Sequence, residues 1–125
     1  MEIVGLGVDI CEIARMERAL ARHPTMRDRV FTPDEIAYCE SKGRPAESFA
    51  GRFAAREAVI KAIGGYRGRL WHDISVVRHP SGAPSIALTG NAKRRADALG
   101  LSRVLITVTH EKTNAIAFAV AVSDG

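Results

Sequence analysis

The sequence lacks the features that mark membrane-spanning, secreted and metal-clustering chains. Its two cysteines, Cys11 and Cys39, fit no metal-binding spacing, so we interpret them as the free thiols of a cytoplasmic protein. No hydrophobic run reaches the length of a transmembrane helix, and no basic segment precedes an apolar one at the N-terminus. Repeats, low-complexity tracts and long linkers are also absent. The 125 residues therefore predict one cytoplasmic domain, residues 1–125.

The composition is basic. Lysine and arginine number 18 against 14 acidic residues, which gives a net charge of +4 and a pI near 9.5. Such a balance favours an acidic partner or a polyanionic ligand. A basic nucleic-acid-binding module is one candidate function. Against it stand an aromatic content of only 6% and the lack of a motif for groove or single-strand binding.

Arginines are concentrated near the N-terminus, where the pattern predicts a helix over about residues 11–22. Arg15, Arg18 and Arg22 share one face of this helix, away from the apolar residues that recur at helical spacing. A solvated surface is the ordinary interpretation of such a face. The alternative is a docking surface for an acidic partner.

The rest of the pattern predicts alternating kinds of element. A strand is expected over about residues 2–9. One further helix begins at the capping box formed by Thr32 and Glu35, and two more cover about residues 46–63 and 90–99. Two strands flank a turn in "DISVVRHPSGAPSIAL", and two more follow in "RVLITVTH" and "NAIAFAVAVS". Because this order has no regular βαβ alternation, we predict an α+β fold with a largely antiparallel sheet packed with helices.

The first strand has two unlike faces, and it ends in a carboxylate. Its even positions predict a core-facing stripe of Val4, Leu6, Val8 and Ile10. Its odd positions are Ile3, Gly5, Gly7 and Asp9, so the other face carries few large side chains. Glycine within a strand usually marks the close approach of a ligand or another backbone. Asp9 either caps the following helix, which is the commoner role, or holds a metal or a cationic group.

The helix "ESFAGRFAAREAVIKAIGG" places a glutamate beside its apolar arc. Glu57 falls next to Phe53 on the helical wheel, and an unpaired carboxylate on a buried side is costly. One partner is Lys61, four residues later. The alternative is that Glu57 and Asp9 converge on one Mg²⁺, with Lys61 beside it holding phosphate. The helix alone leaves both interpretations open.

Three further candidates lie near the end of the chain. His110 ends a strand on its predicted core side, where a histidine is more often structural than functional. Thr107 and Thr109 occupy the opposite face and could donate hydrogen bonds to phosphate. The "PSGAP" turn is ordinary for a hairpin, but its small residues would also let a flat base approach the backbone.

Taken together and in this order, the motifs resemble the holo-acyl-carrier-protein synthases, the small trimeric branch of the 4′-phosphopantetheinyl transferases. The resemblance rests on "GLGVDI", on "FAGRFAAREAVIKA", on "SGAP" and on "TVTHEKTNAIA", and it covers essentially the whole chain. Arg56 stands where the family usually has lysine, and Thr107, Thr109 and Glu111 replace the common Ser, Ser and Asp. Arginine does not freely replace lysine, so a direct phosphate contact by Arg56 is left open.

The resemblance implies a 4′-phosphopantetheinyl transferase-like fold and an activity. That activity moves the 4′-phosphopantetheine arm of coenzyme A onto a serine of apo-acyl carrier protein, with Mg²⁺, and releases adenosine 3′,5′-bisphosphate. It would serve fatty-acid biosynthesis and lipid metabolism, in a homotrimer with sites at subunit interfaces and without nucleic acid or membrane partners. A Mg²⁺-dependent coenzyme A hydrolase is the alternative enzyme. Which carrier protein is native, and how far acyl-coenzyme A is tolerated, stay open.

The resemblance also implies roles for individual residues. Asp9 and Glu57 would hold Mg²⁺, Lys61 would offset charge on the pyrophosphate, and either Glu57 or a water on the metal would take the serine proton. The glycines before Asp9 would make room for the metal and pyrophosphate. The catalytic set is Asp9, Glu57, Lys61 and His110. The coenzyme A set is Arg52, Lys61, Gly82, Pro84, Thr109 and His110. The arginines at 15, 18 and 22 would dock the acidic carrier protein.

Overall fold

The structure, a computed structural model, describes residues 1–64 and 72–124. The elements in these ranges are β1 (Glu2–Glu12), α1 (Ile13–Arg22), α2 (Met26–Val30), α3 (Pro33–Glu40), α4 (Pro45–Ala62), β2 (Ile74–Arg78), β3 (Pro84–Leu88), α5 (Gly90–Ala98), β4 (Arg103–His110) and β5 (Asn114–Ser123). The mixed helical and antiparallel fold predicted from the sequence is confirmed. The short helix α2 was not predicted. No helix among the described residues is both long enough and apolar enough to cross a membrane.

Two antiparallel sheets organise the described residues. The larger has the strand order β1-β5-β4, and β2 pairs with β3 in a separate hairpin. Helix α4 packs on the inner face of the larger sheet, where β5 presents four fully buried alanines: Ala115, Ala117, Ala119 and Ala121. The register places Asp9 opposite Ala117 and His110 opposite Ala115. The middle strand thus sets the positions of both candidate site residues.

The glycines of β1 admit the backbone of α4. A Cβ built on Gly5 would lie 1.9 Å from the carbonyl oxygen of Ala62, and one on Gly7 would lie 1.8 Å from that of Ala58. Of the two explanations for glycine in this strand, close backbone approach is therefore correct. The expectation that these glycines make room for a metal and pyrophosphate is wrong, because the helix occupies the space.

The even positions of β1 face away from α4. Val4, Leu6, Val8 and Ile10 are 44%, 57%, 54% and 60% exposed, so the prediction that they form a core stripe is wrong. Alternation distinguishes the two faces of a strand but does not say which face the helix covers. Here the helix approaches so closely that it requires the small side chains, and the large ones lie outside.

An apolar surface results on the far side of the sheet, and we call it the outer sheet face. It consists of Leu6, Val8, Ile10, Leu105 and Phe118, each between 40% and 60% exposed. Val8 is paired with Phe118 across the β1–β5 ladder. Single exposed apolar residues are normal on a soluble protein, but a continuous group on three strands is typical of an interaction surface.

The N-termini of α1 and α3 differ in how well the local sequence predicts them. Asp9 is not the N-cap of α1, because β1 continues to Glu12, which occupies that position without a side-chain cap. The capping box of α3 is confirmed: the Thr32 hydroxyl accepts from the Glu35 amide, and the Glu35 carboxylate accepts from the Thr32 amide. That glutamate is also buried.

Candidate active site

Asp9, Glu57 and Lys61 meet where β1 crosses the C-terminal half of α4. Lys61 Nζ donates to the Val8 carbonyl at 2.8 Å and to Asp9 Oδ1 at 3.2 Å. The Asp9 side chain is 20% exposed, so it lies at the edge of the helix–strand contact and within reach of solvent. In the described part of the chain, Lys61 forms its ion pair with Asp9 and not with Glu57. The prediction that Lys61 is the partner of Glu57 is therefore wrong.

The electrostatics of Glu57 link it to Asp9. Burial raises the pKa of the Glu57 carboxyl above its usual range, and the negative charge of Asp9 raises it further. The positive charges of Arg56 and Lys61 lower it, but they do not cancel the increase. Two carboxylates therefore repel each other across the β1–α4 contact, and a cation between them would relieve that repulsion.

The donor set fits Mg²⁺ better than a metal with a complete protein cage. No group of three or more His, Cys, Asp or Glu side chains that could hold a metal occurs within residues 1–64 and 72–124. Mg²⁺ needs only one or two carboxylates, because it keeps several waters and takes further oxygens from substrate phosphates. Asp9 and Glu57 are such a pair.

A second cluster surrounds the ring of Tyr38. The guanidinium of Arg52 lies 4.1 Å from the ring centroid and that of Arg78 lies 4.7 Å from it. Arg78 Nη1 also donates to the Tyr38 hydroxyl at 2.6 Å. Arg52 is only 8% exposed, and its Nε has no hydrogen-bond partner among the described residues. A buried cation with an unused donor is suited to an anionic ligand.

The Tyr38 cluster forms one wall of a pocket of about 200 Å³, which Pro84, Glu47 and His110 complete. His110 Nε2 lies 3.3 Å from Glu47 Oε1. The structure thus brings together three predicted residues, Arg52, Pro84 and His110. Sequence reasoning missed Tyr38, Glu47 and Arg78, because nothing local distinguishes them from other surface residues.

Three predicted coenzyme A residues lie apart from this pocket: Lys61, which is at the Asp9 site, Gly82 and Thr109. Gly82 forms the tip of the β2–β3 hairpin with φ +89°, a conformation that favours glycine. Thr109 is exposed and lies two residues from Thr107, which pairs with Phe118 on the outer sheet face. Because neighbouring side chains alternate, Thr109 and His110 lie on opposite faces of β4.

The guanidinium of Arg56 is enclosed inside the protein. Arg56 is 1% exposed and its Nη2 lies 3.5 Å from Glu35 Oε1. This arrangement excludes the direct phosphate contact that the sequence left open. It also explains how the arginine is tolerated, since a buried charge needs a paired partner.

The arginines of α1 are exposed as predicted. Arg15, Arg18 and Arg22 all face solvent, whereas the apolar side of the helix is buried. Arg18 Nη2 lies 3.7 Å from Glu12 Oε1, and both side chains are more than half exposed. Arg15 also borders a groove of about 280 Å³ whose floor is apolar and includes Met26 and Phe53. The sequence did not indicate this groove, because α2 was not predicted.

Comparisons with known proteins agree on one family. Residues 5–119 match the family model of the 4′-phosphopantetheinyl transferase superfamily. Holo-[acyl-carrier-protein] synthase of Moorella thermoacetica is 44% identical over 118 residues, which are 94% of this chain and 92% of that protein. The synthase of Anaeromyxobacter sp. is 44% identical over 127 residues, 98% of each chain.

Solved structures give the same result. The holo-[acyl-carrier-protein] synthase of Neisseria meningitidis superposes with a TM-score of 0.88 at 30% identity, over 98% of this chain and 100% of that one. The Helicobacter pylori synthase in complex with coenzyme A gives a TM-score of 0.81 at 32% identity, over 94% and 99% of the two chains. These similarities cover the strands and helices that carry both clusters.

Proposed function

Because the chain belongs to the 4′-phosphopantetheinyl transferase superfamily and is a holo-[acyl-carrier-protein] synthase by family, we propose that it transfers 4′-phosphopantetheine from coenzyme A to a serine hydroxyl of apo-acyl carrier protein. The observation that carries this proposal is the arrangement along α4. Glu57 and Lys61 lie in its C-terminal half, where Asp9 of β1 meets them, and the pocket around Arg52 lies toward its N-terminus. Arg52 and Glu57 are five residues apart, or about 7–8 Å along the axis. One helix can therefore contact both ends of an elongated nucleotide.

The adenosine end of coenzyme A is assigned to the pocket around Tyr38. Arg52 supplies a buried charge and an unused donor for phosphate, and Arg78 and His110 add donors at the rim. Pro84 and the turn at Gly82 present little bulk, which leaves room for a flat base. Thr109 would act from the outer sheet face of a neighbouring subunit, so we propose that the site lies at a subunit boundary.

Asp9 and Glu57 would hold Mg²⁺, which neutralises charge on the pyrophosphate when it is bound. Lys61 would offset negative charge on the same pyrophosphate, because its ammonium lies 3.2 Å from Asp9. The serine oxygen forms a bond to the phosphorus that bears pantetheine, and the bond to the adenosine phosphate breaks. The serine proton would move to Glu57 or to a water at the metal site, and adenosine 3′,5′-bisphosphate leaves.

The carrier protein would dock on α1. Arg15, Arg18 and Arg22 present positive charge, and the groove beside Arg15 offers an apolar floor at the same surface. Charge complementarity mainly raises the encounter rate, whereas apolar contact in a groove adds affinity. This combination supports a docking role over a merely solvated face.

A homotrimer is proposed on the basis of the outer sheet face. Leu6, Val8 and Phe118 are exposed and adjacent on β1 and β5. Association of copies through this face would remove the apolar surface from water. It would also bring Thr109 of one copy toward another copy.

The decisive experiment incubates the protein with coenzyme A, Mg²⁺ and an apo-acyl carrier protein and measures the intact mass of the carrier. We expect the mass to increase by one phosphopantetheine. An unmodified carrier, or free phosphopantetheine formed without any carrier, would contradict the proposal, the second result indicating hydrolysis.

The metal assignment is tested with Asp9→Ala and Glu57→Ala. Each substitution removes half of the protein's charged ligands for Mg²⁺ and weakens its binding, so both variants should stay folded and lose most of the transfer activity. Asp97→Ala is the matched control, since it removes an exposed carboxylate of α5 that also pairs with a lysine. Near-normal Mg²⁺-dependent turnover by both site variants would show that the assignment is wrong.

A further inference from the structure

A buried ion pair joins three elements next to the Tyr38 pocket. Glu35 is on α3 and Arg56 is on α4, and each side chain is 1% exposed. Both side chains also hydrogen-bond to the main chain of β2. Arg56 Nε donates to the Ile74 carbonyl at 3.3 Å, and the Val76 amide donates to Glu35 Oε2 at 3.0 Å.

These two contacts occupy the edge of β2 that does not face β3. Asp73 accepts from Thr89 across the hairpin, so the main-chain groups of Ile74 and Val76 point away from β3. The ion pair thus takes the place of a neighbouring strand. It fixes the position of the hairpin along both helices, because the Ile74 carbonyl and the Val76 amide each contact a side chain at a defined place.

Stability alone does not account for this pair. Removing two charges from water is costly, and apolar residues of similar size usually stabilise a core as well or better. An apolar contact does not fix the register between two packed elements, because one element can slide along the other without losing the contact. A buried pair bonded to specific main-chain atoms therefore serves to position the elements that it joins.

The same three elements build the nucleotide pocket. Tyr38 follows Glu35 by one turn on α3, Arg52 precedes Arg56 by one turn on α4, and Arg78 follows Val76 on β2. We propose that Glu35 and Arg56 are positioning residues for coenzyme A binding: they hold Tyr38, Arg52 and Arg78 at the separations that the pocket requires. This inference rests on the proposed function.

The test compares steady-state transfer by the wild type and by Glu35→Gln/Arg56→Met. This variant removes both charges while keeping the capping oxygen on α3. We expect the KM for coenzyme A to rise about tenfold while kcat and the KM for carrier protein change by less than about threefold, the pattern of lost uniform binding. Arg56→Lys should restore a KM near that of the wild type, because an ammonium can still pair with Glu35.

Arg95→Met is the matched control, since Arg95 also donates its Nε to a main-chain carbonyl, that of Ile63, but makes no hydrogen bond to the hairpin among the described residues. It should lower the melting temperature without raising the KM for coenzyme A. A folded double variant with a wild-type KM, or a KM that changes as much in Arg95→Met, overturns the inference.

If the double variant does not fold, Glu35→Gln alone decides, by calorimetric titration with adenosine 3′,5′-bisphosphate. The amide of the new Gln has one oxygen and cannot replace both carboxylate contacts of Glu35, so we expect weaker binding of adenosine 3′,5′-bisphosphate. An unchanged affinity overturns the inference. The same titration of the wild type separates this result from the proposed function. A wild type that binds no nucleotide refutes the function, whereas a wild type that binds as tightly as the variant refutes only the positioning role.

Discussion

Gly7→Ala tests how tightly the fold couples β1 to α4. The new Cβ would lie 1.8 Å from the Ala58 carbonyl oxygen and 2.8 Å from its carbonyl carbon. Both atoms belong to helix backbone, so no side chain can turn aside to relieve the contact. Restoring a separation of about 3.4 Å requires α4 to retreat by roughly 1.6 Å.

Such a retreat has two consequences that can be measured separately. Overpacking of this kind costs about 2 kcal/mol, which lowers the Tm of a domain of this size by roughly 8 °C. It also moves Glu57, the residue before Ala58, away from Asp9 and stretches the 2.8 Å bond from Lys61 to the Val8 carbonyl. A misplacement near 1 Å can cost about 100-fold in rate, so we expect kcat/KM to fall by about that factor.

The assays are thermal unfolding and steady-state transfer, with Gly43→Ala as the reference. The added Cβ at Gly43 meets nothing within 4 Å. This variant should stay close to the wild type. If Gly7→Ala matched Gly43→Ala in both Tm and kcat/KM, the close approach would not control the site and the reasoning would be refuted.

Three further predictions concern charge and surface. Because the pKa of Glu57 is raised in the folded protein, its stabilising contribution is present below the ordinary value and is lost as the pH rises through the raised one. In Mg²⁺-free buffer Glu57→Gln should therefore melt above the wild type at pH 8 but not at pH 4; a lower Tm at both would contradict this. Arg15→Glu/Arg22→Glu should raise the KM for carrier protein and flatten its salt dependence, and an equal loss of coenzyme A affinity would instead place these arginines at the nucleotide site. Phe118→Asp should yield monomers in sedimentation, and an unchanged assembly would mean that copies associate through another surface.

The local sequence predicts a structural feature correctly where all the residues that form it lie in one short segment. The capping box at Thr32 and Glu35 was predicted correctly because its partners are three residues apart. The orientation of β1 was predicted wrongly, because it depends on α4, about fifty residues later. Alternation indicated two faces, and only the approach of Ala58 to Gly7 reveals which face is inside.

The candidate site likewise contains residues that the sequence predicts and residues that it does not. Asp9 and Glu57 are predicted from motifs as a metal-binding pair, and the repulsion between them supports that prediction without testing it. Tyr38 and Arg78 were not identified, because they meet across forty residues and only through the hairpin. The position of the Arg56 side chain was equally inaccessible, since a helical wheel does not reveal Glu35 on another helix.

The pairing of β1 with β5 determines when this protein can finish folding during synthesis. Glu2 pairs with Ser123 and Glu12 with Asn114, so the first strand meets its partner only after more than a hundred intervening residues have been made. Closing so long a loop is slow, and domains dominated by such contacts fold late. Until β5 emerges from the ribosome, β1 lacks the partner strand that it has in the folded sheet. The growing chain is therefore most vulnerable to aggregation and proteolysis before its last strand appears.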